Sequence, residues 1–249
     1  MSGLFYNLGR RLGRATIPAI RKSRWVMQNL TGDEDETLAS ERSFGTALAT
    51  ELRAGSKPAR DPECNRLVAD ICRKLHAGVQ DKRRRFHAEA IQLDPPNAMA
   101  LPGGFIFISE SLIEFCGRQS AELAFVIGHE MGHVLRGHAW DRMVSQTASR
   151  VASAVTLRAG PLGQWLRQSG LGLLQNAHAR DAEAEADIVG VRLAVAGGFY
   201  AGGAITLLRR LEQLQPDEAG SLGTYFSSHP PPGERLAALL PVCHKLGGS

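Results

Sequence analysis

Along residues 61–77 the apolar positions Leu67, Val68, Ile71 and Leu75 recur at helical spacing with charged residues between them, which predicts a helix. An earlier one is expected from the acidic run Asp33-Glu34-Asp35-Glu36, which sets negative side chains at the positive end of a helix dipole, to about Leu52, before Gly55-Ser56-Lys57-Pro58 breaks it. Residues 86–93 read as a strand that Asp94-Pro95-Pro96 ends. Phe105, Ile106, Phe107 and Ile108 follow a Pro-Gly-Gly break and predict a second, short strand, with Pro102 suiting the stretch before it to a sheet edge. From Ser120, read as an N-cap, to about Val144 the pattern predicts a long helix with Glu122 in its first turn. Weak helices or a hairpin are expected over the Ser-, Gly- and Ala-rich residues 145–178. Further helices are expected over 179–196, stopped by Gly197-Gly198, over 202–214, and after the prolines 230–232. The order of helices, a small antiparallel sheet, then helices gives an α+β fold, mainly helical.

Composition narrows this. The 249 residues are 43% hydrophobic and 22% charged, enough to bury a sizeable core without disulfide or metal staples. No charge-free run reaches the roughly 18 apolar residues that a spanning helix needs. The four cysteines Cys64, Cys72, Cys116 and Cys243 form no CxxC pair and are expected to be reduced or buried. Net charge is only +4, but Arg10, Arg11, Arg14, Arg21, Lys22 and Arg24 all precede the first acid, Asp33. Residues 1–32 therefore read as a basic arm and 33–249 as a single domain. Arginines interrupt every apolar stretch of the arm, so a secretory signal is not expected. Three readings remain: a surface for anionic membrane through residues 1–30, an organellar presequence, or a solvated helix packed on the body.

The chemistry lies in His129-Glu130-Met131-Gly132-His133. Histidines four apart on a helix are separated by about 40° around the axis and about 6 Å along it, so both imidazoles can meet one metal. Neutral imidazole suits zinc, and Glu130, one step round, can reach a water at the metal. A catalytic zinc takes three protein ligands. A histidine ten residues after the first would fall at Ala139, and His138 misses by one; it is expected to cap the helix or face solvent. Within residues 180–187, Glu183 and Glu185 lie two apart, about 200° around a helix, so one of them can face the site.

The HExxH motif with Glu183-Ala184-Glu185-Ala186-Asp187 fifty residues after its second histidine resembles the zinc metallopeptidase family of HtpX, BepA and the CAAX prenyl protease, whose pattern is HExxH with a downstream ExxxD. Asn97-Ala98-Met99-Ala100-Leu101-Pro102-Gly103-Gly104 resembles the family's stretch before the active-site helix, and Ser228-His229-Pro230 with Arg235 its late His-Pro and Arg. The resemblance covers about residues 58–241. It implies a zincin-like fold of the gluzincin kind and one zinc per chain on His129, His133 and Glu183. It further implies Asp187 as the carboxylate that orients a ligand histidine; Arg235 is expected to pair with Asp187, to hold the His229 loop, or equally to be an ordinary helix-surface charge. His229 is expected near the metal, donating to an oxyanion or closing the open position as a fourth ligand. The membrane helices of HtpX have no counterpart in this sequence, and the basic arm has none in the family.

These readings converge on a zinc endopeptidase with Glu130 as general base, acting on extended or misfolded polypeptide in protein quality control. Residues 97–104 are the expected edge on which substrate adds as a strand. A zinc-binding chaperone or adaptor is the alternative. A nucleic-acid partner is not expected, since the arm lacks stacking aromatics and a groove motif. The expected location is cytoplasmic or peripheral to a membrane, with an organelle as the alternative.

Overall fold

The computed structural model of the chain describes residues 34–93, 96–138, 180–214 and 229–247. The basic arm and residues 145–178 lie outside them. A long helix α1 (Glu34–Gly55) leads into the two-residue strand β1 (Lys57–Pro58) and helix α2 (Pro62–Ala77). Asp61 caps α2 by accepting from the Glu63 amide at 2.9 Å, and Pro62 sits in its first turn, where no amide is missed. Strands β2 (His87–Gln92), β3 (Ala98–Leu101) and β4 (Phe105–Ser109) follow, β3 and β4 joined by a single helical turn at Pro102–Gly104. Five helices complete the described chain: α3 (Glu110–Phe115), α4 (Ser120–Leu135), α5 (Arg180–Ala196), α6 (Gly202–Glu212) and α7 (Pro232–Lys245).

The expected fold class holds, but the sheet is mixed rather than antiparallel. Its order is β1-β2-β4-β3, with β1–β2 and β3–β4 antiparallel and the central pair β2–β4 parallel. The reason is topological. After β2 the chain crosses to the far edge to form β3, and the hairpin returns β4 between them in the direction of β2. This leaves β3 at the edge, as the sequence predicts.

Alternation along the strands sorts the core into two layers. Ala88, Ala90, Ala98, Ile106 and Ile108 enter the main core with α2 and α4, whereas Ile91, Met99, Leu101, Phe105 and Phe107 pack under α1. Burying Phe107 and Ile106 fully contributes about 1.5–3 kcal/mol each. Helix α4 is buried on every side from Glu122 to Val134, as a helix at the centre of a core must be.

Two expectations about α4 need correction. Its N-cap position is Gln119, with extended backbone and no side-chain cap, and Ser120 is already helical. Its end is Leu135, not Val144: Gly137 takes φ 73°, a conformation open to glycine, and turns the chain off the helix axis. All four cysteines are free and buried, and burial raises the thiol pKa of each; those of Cys72 and Cys116 rise to about 11 and about 12. Among the described residues no helix is long and apolar enough to cross a membrane.

Candidate active site

The site is built where α4 and α5 touch. Gly128 and Gly132 on α4 face Gly190 and Ala186 on α5 so closely that a Cβ on Gly128 would lie 2.8 Å from the Gly190 carbonyl oxygen, and one on Gly132 would lie 2.9 Å from that of Ala186. Small residues four apart on both helices thus let the backbones meet. That approach carries Glu183 and Asp187, one turn apart on α5, up to His129 and His133, one turn apart on α4.

His129, His133, Glu183 and His229 each offer one donor atom, all within 4.8 Å of one another, and all four residues are buried. His129 Nε2 and His133 Nε2 are 3.0 Å apart. Glu183 faces both, with Oε1 3.2 Å from His133 Nε2 and Oε2 3.6 Å from His129 Nε2. His229 Nδ1 donates to Glu183 Oε2 at 2.6 Å, so the loop histidine lies against the carboxylate and not in solvent.

Behind His129 stands a second layer. Its Nδ1 donates to Asp187 Oδ1 at 2.7 Å, and Arg235 from α7 grips the same carboxylate through Nη2 at 2.6 Å and Nε at 3.0 Å. Arg235 is 4% exposed and lies over the Phe125 ring, so it is not a surface charge; of the readings open from sequence, pairing with Asp187 is the one observed.

Electrostatics match this layout. Burial lowers the pKa of His129, against an opposing pull from Asp187, and lowers that of His133 to about 4. Both rings are therefore neutral near pH 7, the form that binds metal. Burial would raise the carboxylates, but the closeness of His133 and the hydrogen bond from His229 hold Glu183 well below the ordinary range, and Arg235 and His129 do the same for Asp187. With its Nδ1 proton committed to Asp187, His129 presents an Nε2 lone pair. Two imidazole nitrogens and one ionised carboxylate converge, the usual three-donor complement of a catalytic zinc. The donor set fits that metal.

Glu130 is buried on α4 beside these residues. Glu122, in the first turn of α4, pairs with Arg210 of α6 at 2.7 Å, and the same guanidinium donates to the Phe115 carbonyl at 2.7 Å. Residues 97–104 form β3 and the turn after it, both of which pack against α4, the helix that carries His129 and His133. Ala98, Met99 and Leu101 are buried, and Ala100 is partly buried, in the two core layers; Asn97 is buried too, its amide donating to Ser109 Oγ at 2.8 Å. Pro102, Gly103 and Gly104 make the turn, where the Gly103 amide donates to Glu41 Oε1 at 3.1 Å and Glu41 is paired with Arg84. The outer backbone edge of β3 is what this stretch offers to a ligand.

One expectation fails. His138 neither caps α4 nor faces solvent: its side chain is 10% exposed and its Nδ1 lies 3.0 Å from His133 Nδ1. The turn at Gly137 folds it back onto the helix. Helical spacing offers no signal for it, because the residue lies beyond the helix. The Gly128/Gly132 and Ala186/Gly190 pairs do carry a sequence signal, small residues at a spacing of four on both helices.

Comparison with known proteins agrees with this geometry. The sequence model of peptidase family M48 matches residues 58–242. The chain is 30% identical to the mitochondrial metalloendopeptidase OMA1 of Schizosaccharomyces pombe over 176 residues, 68% of this chain and 50% of that protein. It is 25% identical to the beta-barrel assembly-enhancing protease of Escherichia coli over 237 residues, 88% and 47% of the two chains. With the metalloprotease LoiP of Escherichia coli it shares 31% identity over 144 residues, 56% and 55%. The chain spans about half the length of these curated relatives. The family match runs from β1 into α7 and takes in every residue of the donor cluster: the chain belongs to peptidase family M48.

Proposed function

We propose that this protein is an endopeptidase that cleaves extended or misfolded polypeptide, with zinc held by His129, His133 and Glu183 and with Glu130 as the general base. The observation that carries the reading is the buried convergence of two neutral imidazoles and one ionised carboxylate directly beside Glu130 on α4. Zinc at such a site lowers the pKa of a water and polarises a carbonyl. Glu130 takes the proton of the attacking water at its carboxylate and delivers it to the leaving amine nitrogen. Asp187 and Arg235 fix the ring of His129. The outer edge of β3, which no other described strand covers, hydrogen-bonds the substrate backbone as an added strand, which tolerates varied side chains. The names of the relatives, an assembly-enhancing protease and a mitochondrial metalloendopeptidase, support a role in protein quality control. The basic arm supports attachment to an anionic membrane surface, to be read from salt-sensitive liposome binding that is lost on deleting residues 1–30.

The test is Glu130→Gln, which keeps size and polarity but removes the base. Zinc content stays at one per chain while hydrolysis of unfolded casein disappears; a chelator abolishes the wild-type activity. Near wild-type turnover in the variant rejects the mechanism. Zinc binding without hydrolysis in the wild type supports the adaptor reading instead. His229, which donates to Glu183 Oε2 beside the donor cluster, is assigned to the oxyanion. His229→Ala then cuts turnover by about a hundredfold with zinc retained. A rise in turnover reassigns it as a fourth ligand that closes the site.

A further inference from the structure

The two histidines proposed as ligands need their second nitrogens held, because a ring free to rotate about its bond to Cβ loses the direction of its lone pair. Asp187 does this for His129. For His133, His138 Nδ1 stands at 3.0 Å from His133 Nδ1, with the two rings edge to face at 64°. A contact between two Nδ1 atoms works only if one donates and the other accepts. When His133 binds metal through Nε2, its proton sits on Nδ1, so His138 must accept there and carry its own proton on Nε2. That Nε2 faces an anion, Glu185 Oε2, at 3.6 Å. The order His133, His138, Glu185 is therefore consistent in direction: His133 donates to His138, whose Nε2 proton is turned toward the anion without a hydrogen bond to it.

We propose that His138 is the positioning residue for His133, its Nδ1 accepting the His133 Nδ1 proton and so aiming His133 Nε2 at the metal. This rests on the zinc reading above. His138 touches no reacting atom and acts through His133 alone. Its place is made by Gly137, whose positive φ turns the chain just after α4 and returns the next side chain to the helix end. The side chain is largely buried, so water does not compete freely for the same proton.

The experiment measures zinc affinity by competition with a chromophoric chelator, on the full chain, for wild type, His138→Leu and His138→Gln. Leucine fills the space without accepting; glutamine offers a carbonyl oxygen. His138→Leu is expected to weaken zinc binding by about 10–100-fold, the usual effect of removing such an outer partner. His138→Gln should recover to within a few-fold of wild type, while thermal unfolding of the metal-free forms stays alike. Equal affinities for all three proteins, or equal losses in both variants, overturn the proposal. If the leucine variant does not fold, long-range ¹H–¹⁵N NMR of the zinc-loaded wild type decides alone. The proposal requires a proton on His138 Nε2 and none on Nδ1, and the opposite tautomer overturns it. Absence of zinc binding by the wild type itself would sink the zinc reading and this inference with it, whereas wild-type binding with indifferent variants sinks only the inference.

Discussion

His129 and His133 sit one turn apart on one helix, yet the groups behind them differ in kind. Behind His129 the sequence of charges is carboxylate then guanidinium, Asp187 and Arg235, both under 5% exposed. Behind His133 it is imidazole then carboxylate, His138 and Glu185, the last with 40% of its side chain exposed. The first is a closed ion pair drawn from α5 and α7, and breaking it strands a charge in the core. The second opens to solvent, and what fails there can be replaced in part by water. The difference teaches that the two halves of the site carry different duties: one is part of the fold's stability, the other chiefly orients a ring.

The largest effect is expected from Asp187→Ala. Removing one partner of a buried pair leaves the other charge uncompensated, which costs about 3–5 kcal/mol. Urea unfolding of the metal-free protein should show that loss, and zinc affinity and turnover should fall together. Adding Arg235→Leu should restore part of the stability but not the activity, because His129 stays unheld. The pair also sets a pH dependence. Asp187 is held below its unfolded value of about 3.9, so its contribution is fully present above about pH 5 and is lost as pH falls through and below that value. Asp187→Ala should flatten this part of the metal-free stability curve. An unchanged curve would mean that the pair contributes nothing to the fold.

An intermediate effect separates the two ends of the helix contact. Gly132→Ala would press a Cβ within 2.9 Å of the Ala186 carbonyl oxygen and 3.0 Å of its Cα, and backbone cannot yield as a side chain does. Helix α5 must then move, costing about 1–3 kcal/mol. Ala186 lies between Glu183 and Asp187, so turnover should drop tenfold or more. Gly128→Ala meets Gly190 equally closely but two turns from Glu183. It should lower the unfolding midpoint as much while sparing more of kcat/KM. Equal activity losses would show that α5 moves as one rigid rod.

What sequence could and could not reveal follows the same division. HExxH is a local pattern, and the helix periodicity alone places His129, Glu130 and His133 together. Choosing Glu183 over Glu185 required the family resemblance, since spacing says only that the two face apart. The parallel pairing of β2 with β4 was not legible, because it depends on where the chain crosses between strands and not on the composition of either. His138 was misread for a related reason: a single glycine with positive φ ends the helix and reverses the direction in which the next side chain points. The helix–helix approach was legible in principle, as small residues at a spacing of four on both elements, and its reading needs only the partner to be known.

The smallest effect is expected from Glu185→Ala, and it tests the comparison at its weaker end. Glu185 lies about 200° around α5 from Glu183 and still reaches the site's outskirts, because His138 is carried past the end of α4 to meet it. At 3.9 Å from Arg136 Nε and 3.6 Å from the neutral His138 ring, with two-fifths of its side chain exposed, it makes one surface-grade ion pair and one weak polar contact, worth about 0–1 kcal/mol. Removing it should therefore weaken zinc binding by less than about fivefold and leave most turnover intact, where Glu183→Ala loses both. The modest loss should shrink as salt is added, since exposed pairs are screened and buried ones are not. Titrating zinc into both variants at low and high ionic strength checks this. If Glu185→Ala loses zinc as completely as Glu183→Ala, the open side of the site is as binding as the closed one, and the contrast between the two histidines fails.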